Sequence, residues 1–417
     1  MDSNTDAESL LAALLSGLRN YERSRPTSQE WSLSNMQQLL AWPELPPLAG
    51  MAVQIGGSKG KGTTALYLEA LALAAGLSVG TYLSPHLHHV TERVRLAGRP
   101  VSAQVLCGAL EPVLAWAEAN AIRLSFFEAL TGAARLVFGR ADVDLAVFEV
   151  GLGGRLDATT AIPVDATIIT GVELEHTEVL GDSIQAIASE KAAILRAGRP
   201  ALTAAEGEAL AVIRESARRV GAKLWVMGQD FHVDHARSRL ADDASMIEAP
   251  ALALAEAALA QLFPDSRPAA GPVPRPDLWG RFEVFDSDDG WPFVLDGAHT
   301  VVSLGCLAAE LRRRWAAQPV AALVASARGK AWRDGLRRLL PAVDSFLVTG
   351  VEGTASEDPS ELVAWLHQQS VPARLVETAE AGVEQLRGQP AVRLVTGSFY
   401  LVAAARAVLE KPTSPGS

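Results

Sequence analysis

The sequence predicts an α/β protein of two domains, and three observations carry that prediction. An apolar run, Met51 to Ile55, leads through a glycine-rich turn into a helical pattern from Thr63 to Ala75. Strand-like and helical stretches then alternate to about Phe231. After a segment with five prolines, Phe263 to Asp277, the alternation restarts. Alternating β and α elements form parallel sheets with helices packed on the faces. The expected division is residues 1–262, a proline-rich linker over 263–277, and a second domain over 278–417.

Length and composition agree. A chain of 417 residues with 49% apolar and 20% charged residues builds a large core in two or three domains. The net charge of −11 argues against nucleic-acid and membrane-surface partners, so any phosphate site must be local. Cys107 and Cys306 are far apart in apolar surroundings and read as reduced core thiols of a cytoplasmic protein. No signal peptide or membrane span is expected.

The elements follow in order. Ala7 to Tyr21 reads as an amphipathic helix and Trp31 to Ala41 as a weaker one, ended by Pro43, Pro46 and Pro47. Met51 to Ile55 is a strand, Thr63 to Ala75 a helix stopped by Gly76, and Ser78 to Ser84 a strand that completes a βαβ unit. Val105 to Ala119 and Ser125 to Phe138 are helices; Asp144 to Val150 and Asp165 to Gly171 are strands; Ser183 to Leu195 is a helix. In the second domain Phe293 to Leu295, Val320 to Ala325, Ser345 to Thr349, Ala373 to Val376 and Val392 to Thr396 read as strands. No G-x-G-x-x-G occurs there, so a dinucleotide is not indicated. Lys411 to Ser417 reads as a frayed tail.

The turn Gly56-Gly57-Ser58-Lys59-Gly60-Lys61-Gly62-Thr63-Thr64 is suited to phosphate. Glycines let backbone N–H groups turn inward, the helix N-terminus adds positive potential, Lys61 adds a full charge, and a hydroxyl reaches a metal ion. Gly62 stands between the lysine and Thr63, which departs from the common G-x-x-x-x-G-K-[ST] spacing. A plain glycine turn with an exposed lysine is the competing interpretation, and the flanking strand and helix argue against it. Ser84, Glu149 and His176 lie at or just past strand ends, where open parallel sheets bind ligands. A hydroxyl, a carboxylate and an imidazole suit Mg²⁺ or Mn²⁺. His176 taken alone reads more readily as a hydrogen-bonded surface or core residue than as a ligand. His86, His88 and His89 read as loop residues. Lys191 is either a solvated lysine or, if buried, an amine of lowered pKa able to take up CO₂ as a carbamate.

Assembled, these blocks resemble the folylpolyglutamate synthase/dihydrofolate synthase family of the Mur-ligase superfamily. The resemblance rests on Gly57 to Thr64, Ser84-Pro85-His86-Leu87, Thr91-Glu92-Arg93-Val94, Phe127-Glu128, Glu149 to Thr159, His176-Thr177 with Leu180-Gly181, Glu190-Lys191-Ala192, Gly280-Arg281-Phe282, Asp296-Gly297-Ala298-His299 and Thr396-Gly397-Ser398, in family order. It implies a P-loop parallel-sheet ATP-binding domain followed by a smaller Rossmann-like α/β domain. It implies an ATP-dependent, ADP-forming acid–amino-acid ligase that acts through an acyl phosphate. The cofactors would be ATP and Mg²⁺, with Mn²⁺ or a monovalent cation as additional candidates. The partners would be a small carboxylic acid and an amino acid or other amine, and the chain a monomer. By the same resemblance Gly57, Ser58, Lys59, Gly60, Lys61, Gly62, Thr63, Thr64, Arg281 and Asp296 bind ATP. Thr63, Ser84, Glu149 and His176 hold the metal. Lys61, Lys191 (as a carbamate), His176 and His299 are catalytic, and Phe127, Glu128, Leu156, Asp157 and Ala158 lie by the acid substrate.

The chain departs from the family pattern at named positions. Ser58-Lys59 stands for Thr-Asn, Thr300 for the asparagine after His299, Gly329-Lys330-Ala331 for Asp-Lys-Asp, and Pro250 or a neighbour for an adenine-side asparagine. Glu175 stands for the aspartate before His176. These departures lead to the expectation that a folate is a poor acceptor and that another carboxylic acid is preferred. The alternatives to a folate ligase are thus a ligase for a non-folate acid and a non-catalytic nucleotide-binding homologue; a simple P-loop phosphotransferase is disfavoured by the second domain.

Overall fold

A computed structural model describes residues 2–21, 32–266, 271–326, 331–351 and 356–411. Trp31, Gly329, Lys330, part of the proline-rich stretch and the tail beyond Lys411 lie outside the described residues. The chain forms two compact units, Met1–Asp277 and Leu278–Ser417.

The first unit begins with helices α1 (Asp2–Ser16) and α2 (Ser34–Leu40). It continues β1 (Met51–Gly56), α3 (Lys61–Ala74), β2 (Val79–Tyr82), β3 (Val94–Leu96), β4 (Arg99–Pro100), α4 (Ala103–Ala119), α5 (Phe126–Arg140) and β5 (Leu145–Glu149). Then come β6 (Ala166–Ile169), α6 (Thr177–Leu180), α7 (Ile184–Ala192), β7 (Pro200–Thr203), α8 (Gly207–Val220), β8 (Lys223–Val226), α9 (Val233–Ser238) and α10 (Glu248–Leu262). The sheet order is β4-β3-β2-β5-β1-β6-β7-β8. The central strands are parallel and buried on both faces, which is why they read as unbroken apolar runs. Their register pairs Ile55 with Glu149 and with Ile168, and Tyr82 with Phe148. The carboxyl ends of β2, β5, β1 and β6 therefore lie side by side.

The second unit carries β9 (Glu283–Phe285), β10 (Phe293–Asp296), α11 (Val301–Trp315), β11 (Val320–Val324), α12 (Trp332–Leu339) and β12 (Ser345–Val348). It ends with α13 (Pro359–Gln368), β13 (Ala373–Leu375), α14 (Ala379–Arg387), β14 (Val392–Thr396) and α15 (Phe399–Leu409). Its sheet order is β13-β12-β11-β14-β10-β9.

Three features differ from the sequence-based expectation. Both sheets have antiparallel edges: β3 on β2, β4 on β3, and β9 on β10. These strands span only two or three residues each, too few to show a period. Helix α1 stops at Ser16, with Gly17 next, rather than running from Ala7 to Tyr21. Helix α10 was not expected at all. It is apolar on most faces, with Ala251, Leu252, Ala255, Ala258 and Leu259 buried, and it packs on α3. A helix covered all round has no polar stripe to reveal it. Among the described residues no helix is long and apolar enough to cross a membrane.

Candidate active site

The phosphate turn joins β1 to α3. Gly57 and Gly60 adopt φ of 133° and 78°, which L side chains rarely take. A Cβ on Gly57 would stand 2.1 Å from Thr170 Oγ1. Gly60 caps α3 and offers no side-chain acceptor to its first N–H groups. The helix start is thus left open to an external anion. Lys61 Nζ donates to the Gly57 carbonyl at 2.9 Å, and Lys191 Nζ donates to the same oxygen at 3.0 Å.

Lys191 is 1% exposed, so it is not a solvated lysine. Its ammonium pairs with Glu175 Oε1 at 2.8 Å. Burial, helped by the charge of Lys61, pushes its amine below the ordinary lysine range, with Glu175 pulling the other way. Burial opposes ionisation of Glu175 too, but Lys191 and Lys61 outweigh it and hold that carboxyl at about 2.

Ser84 and Glu149 meet at the ends of β2 and β5. The Ser84 N–H donates to Glu149 Oε2 at 2.8 Å, and both residues are buried. His176 caps α6 with φ 47°, a left-handed conformation uncommon for a non-glycine residue. Of the expected metal ligands, Thr63, Ser84 and Glu149 offer oxygens and His176 an imidazole nitrogen, donor types that a hard divalent ion accepts. Among the described residues no group of three or more His, Cys, Asp or Glu could hold a metal ion. Nearby, Arg93 is wholly buried over the Phe126 ring and donates Nε–H to His86 Nδ1 at 2.8 Å. Glu92 accepts from the N–H groups of Leu87, His88 and His89 at 2.7 to 2.9 Å, so the histidine segment is a carboxylate-held loop.

A second glycine turn follows β5. Asp157 sits inside it, 5% exposed, and accepts from the N–H groups of Gly151, Leu152 and Thr159 at 2.9, 3.1 and 3.0 Å and from Thr159 Oγ1 at 2.5 Å. Ala158 is buried in the main core. Of the residues expected beside the acid, Asp157 thus holds the turn and Ala158 belongs to the core, whereas Leu156 is half-buried. Phe127 packs against Tyr82 at 5.7 Å between ring centroids and under Gly151, where a Cβ would stand 2.7 Å from its ring. Glu128 closes a capping box with Ser125 at the start of α5.

In the second unit Asp296, at the end of β10, accepts from the N–H groups of Phe282 and Ala298, both at 2.8 Å. His299 Nδ1 lies 2.8 Å from the Gly297 carbonyl. The Arg281 guanidinium stands 5.7 Å from the centre of the Phe399 ring. The Gly297 N–H donates to the Gly280 carbonyl at 2.9 Å. Arg281, Asp296 and His299 are thereby gathered on two turns stitched together beside the end of β14.

Several residues of the site were not singled out by the sequence. Glu173 pairs with Lys59 at 3.3 Å, Thr170 Oγ1 donates to the Lys59 carbonyl at 2.5 Å, and Gln54 Nε2 donates to Thr159 and Thr160. The only signal available was the pair of acids, Glu173 and Glu175, just beyond an apolar strand.

Comparisons with known proteins agree with this architecture. The Mur ligase, glutamate ligase domain model matches residues 280–399. A Halobacterium salinarum protein, a probable bifunctional folylpolyglutamate synthase/dihydropteroate synthase, is 41% identical over 281 residues, 61% of this chain and 34% of its own length. A Haloferax volcanii protein of the same description is covered to 46% of its length, so the chain spans about a third to a half of these relatives. The Escherichia coli dihydrofolate synthase/folylpolyglutamate synthase is 30% identical over 380 residues, 87% of each chain. The crystal structure of the bifunctional folylpolyglutamate synthase/dihydrofolate synthase of Yersinia pestis, complexed with AMPPNP and Mn ion, is similar with a TM-score of 0.81 and 30% identity, covering 97% of this chain and 98% of that one.

Proposed function

The chain belongs to the folylpolyglutamate synthase/dihydrofolate synthase family, and on that footing we propose that it is an ATP-dependent, ADP-forming ligase joining the amine of glutamate to a folate or pteroate carboxylate. The observation that carries the proposal is the uncapped start of α3, with Lys61 and Lys191 on one carbonyl, beside the Ser84–Glu149 pair. A carboxylate oxygen of the acid attacks the γ-phosphorus of ATP, and ADP leaves. The glutamate nitrogen attacks the acyl carbon of the resulting acyl phosphate, phosphate leaves, and the nitrogen loses a proton. Bringing a carboxylate to a triphosphate crowds anions together. Lys61 and the N–H groups of the turn offset that charge where it develops.

Thr63, Ser84, Glu149 and His176 would hold Mg²⁺ or Mn²⁺. A bound ion would neutralise phosphate oxygens. Lys191 is taken as a carbamate in the working enzyme: its neutral amine adds to CO₂ and releases one proton. Lys191→Ala should then be nearly inactive and partly rescued by small carboxylates; equal inactivity with and without them counts against the carbamate. Phe127, Glu128, Leu156, Asp157 and Ala158 would serve the acid, Arg281 and Asp296 the nucleotide, and His299 the chemistry. A monomer in the cytosol completes the reading, and the unbridged Cys107 and Cys306 are in keeping with that compartment.

The departures at Lys59, Glu175, Pro250 and Thr300 have local physical accommodations, while Gly329 and Lys330 lie outside the described residues. Thr300 caps α11 through its hydroxyl, as an asparagine would. Pro250 lies in the first turn of α10, where proline is tolerated. Glu175 reaches Lys191, and Lys59 has its own carboxylate. These observations weigh toward a folate. The test is product analysis: ADP and phosphate should appear only when a pteroate or folate and L-glutamate are both present. AMP and pyrophosphate, or turnover only with a non-folate acid, would overturn the proposal.

A further inference from the structure

Lys59 is the residue of the phosphate turn that departs from the family's asparagine, and the structure gives it a partner. Its Nζ lies 3.3 Å from Glu173 Oε1, and both side chains are only about a fifth exposed, at 21% and 23%. Glu173 stands four residues beyond the end of β6, the strand hydrogen-bonded to β1. This exit segment is sewn to the turn along its length. The Thr170 N–H donates to the Gly56 carbonyl at 3.0 Å, the Ser58 N–H to the Gly171 carbonyl at 2.8 Å, and the Glu173 N–H to Ser58 Oγ at 3.0 Å. With the backbone held at these points, Glu173 has its carboxylate set beside a lysine that sits on an anion-binding turn.

The geometry points to Glu173 as a positioning residue that holds Lys59 and competes with the nucleotide's phosphates for it. An ammonium can face a carboxylate or a phosphate, and a flexible four-carbon stem lets it exchange one for the other. With the site empty, Glu173 offsets the charge that Lys59 adds to a turn already carrying Lys61 and facing Lys191. When a triphosphate occupies the turn, Lys59 transfers to it. After ADP and phosphate form, Glu173 recaptures the lysine and favours release. The chain would thus contain a second phosphate-binding cation in the turn, together with an internal anion that limits how tightly the nucleotide is held. This inference rests on the phosphate turn binding a nucleotide, and not on which acid or amine is joined.

The test is a binding cycle with magnesium–ATP and magnesium–ADP, in the absence of any acid or amine, on the full chain. The variants are Lys59→Gln, Glu173→Gln and the pair together. Lys59→Gln should weaken ATP binding about tenfold, as expected for a lost charged contact to phosphate. Glu173→Gln should tighten it about threefold to fivefold, the scale of releasing one partly exposed ion pair. In the Lys59→Gln background the Glu173→Gln change should have almost no effect. Lys59→Arg should restore the response to Glu173→Gln. Glu173→Gln is isosteric and leaves the backbone N–H to Ser58 in place, so the fold is retained. Equal tightening in both backgrounds would mean simple repulsion by Glu173 and would overturn the exchange. So would unchanged or weaker binding by Glu173→Gln. If the exchange holds while no acid and amine pair supports turnover, the ligase assignment fails and this inference stands.

Discussion

Two glycine turns leave neighbouring strands of the first sheet, one after β1 and one after β5, and they treat their N–H groups oppositely. The turn after β5 encloses an anion of its own: Asp157 takes the N–H groups of Gly151 and Leu152. The turn after β1 encloses none, and the helix it opens has a glycine at its cap. Helices α4, α5 and α7 begin with Ser102, Ser125 and Ser183, each accepting a first-turn N–H through its hydroxyl. An anion-binding cradle filled by the chain itself is architecture, and the same cradle left open is a binding site. The basic residues of the two turns are held differently too: Arg155, in the turn after β5, is exposed and pairs with Glu190, whereas around the turn after β1 Lys59, Lys61 and Lys191 are held on Glu173, a carbonyl and Glu175.

The largest effect should come from disarming the open turn. Lys61→Ala and Glu149→Ala are expected to lose about 10²–10³-fold or more in turnover, with circular dichroism unchanged. Retention of more than about a tenth of the rate by either folded variant would remove that residue from the chemistry.

Emptying the filled turn should act on stability instead. Asp157→Ala leaves buried donors without an acceptor and should lower stability by about 3 kcal/mol, read as a shift in the denaturant midpoint. An unchanged midpoint would mean that the turn after β5 does not depend on its carboxylate, and the contrast would fail.

Acid should loosen the lysine side in CO₂-free buffer, where Lys191 is an ammonium and not the carbamate proposed for the working enzyme. Glu175 has a folded pKa of about 2, below the ordinary glutamate value, so its stabilisation is complete above the unfolded value and is lost as the pH falls toward the folded one. The midpoint difference between wild type and Glu175→Gln, present at neutral pH, should shrink between about 4.5 and 2. A difference constant over that window would mean that the Glu175–Lys191 pair is not formed in solution.

The smallest effect sharpens the comparison in the second unit, where α11 is capped by Thr300 and Ser303. Thr300→Ala should cost about 1 kcal/mol and Thr300→Asn close to nothing. If Thr300→Asn were as damaging as Thr300→Ala, threonine would not be serving as a simple replacement for the family's asparagine.

Much of this was legible in the residues themselves. The phosphate turn, the buried strands on either side of it and the helix that follows are written in short-range terms: glycines where φ must be positive, apolar runs where both faces are covered, a stop at Gly76. Ser84 and Glu149 could be placed at strand ends for the same reason, and parallel strands bring their carboxyl ends to one edge. Two kinds of feature could not be read this way. Helix α10 has no polar stripe because it is buried on most sides, and strands β3, β4 and β9 are too short to show alternation. The partners of the lysines were equally hidden. Glu173 follows Lys59 by 114 residues, and Lys191 reaches the carbonyl of Gly57 across 134. Those meetings exist because β6 pairs with β1 in one register, which places the segment after Ile169 beside the turn after Gly56. The sequence by itself determined which residues could carry charge and where the chain would turn. Only the tertiary structure decided which turn would be closed by its own carboxylate and which left open, because that choice depends on long-range strand pairing and on which side chains burial brings within hydrogen-bonding distance.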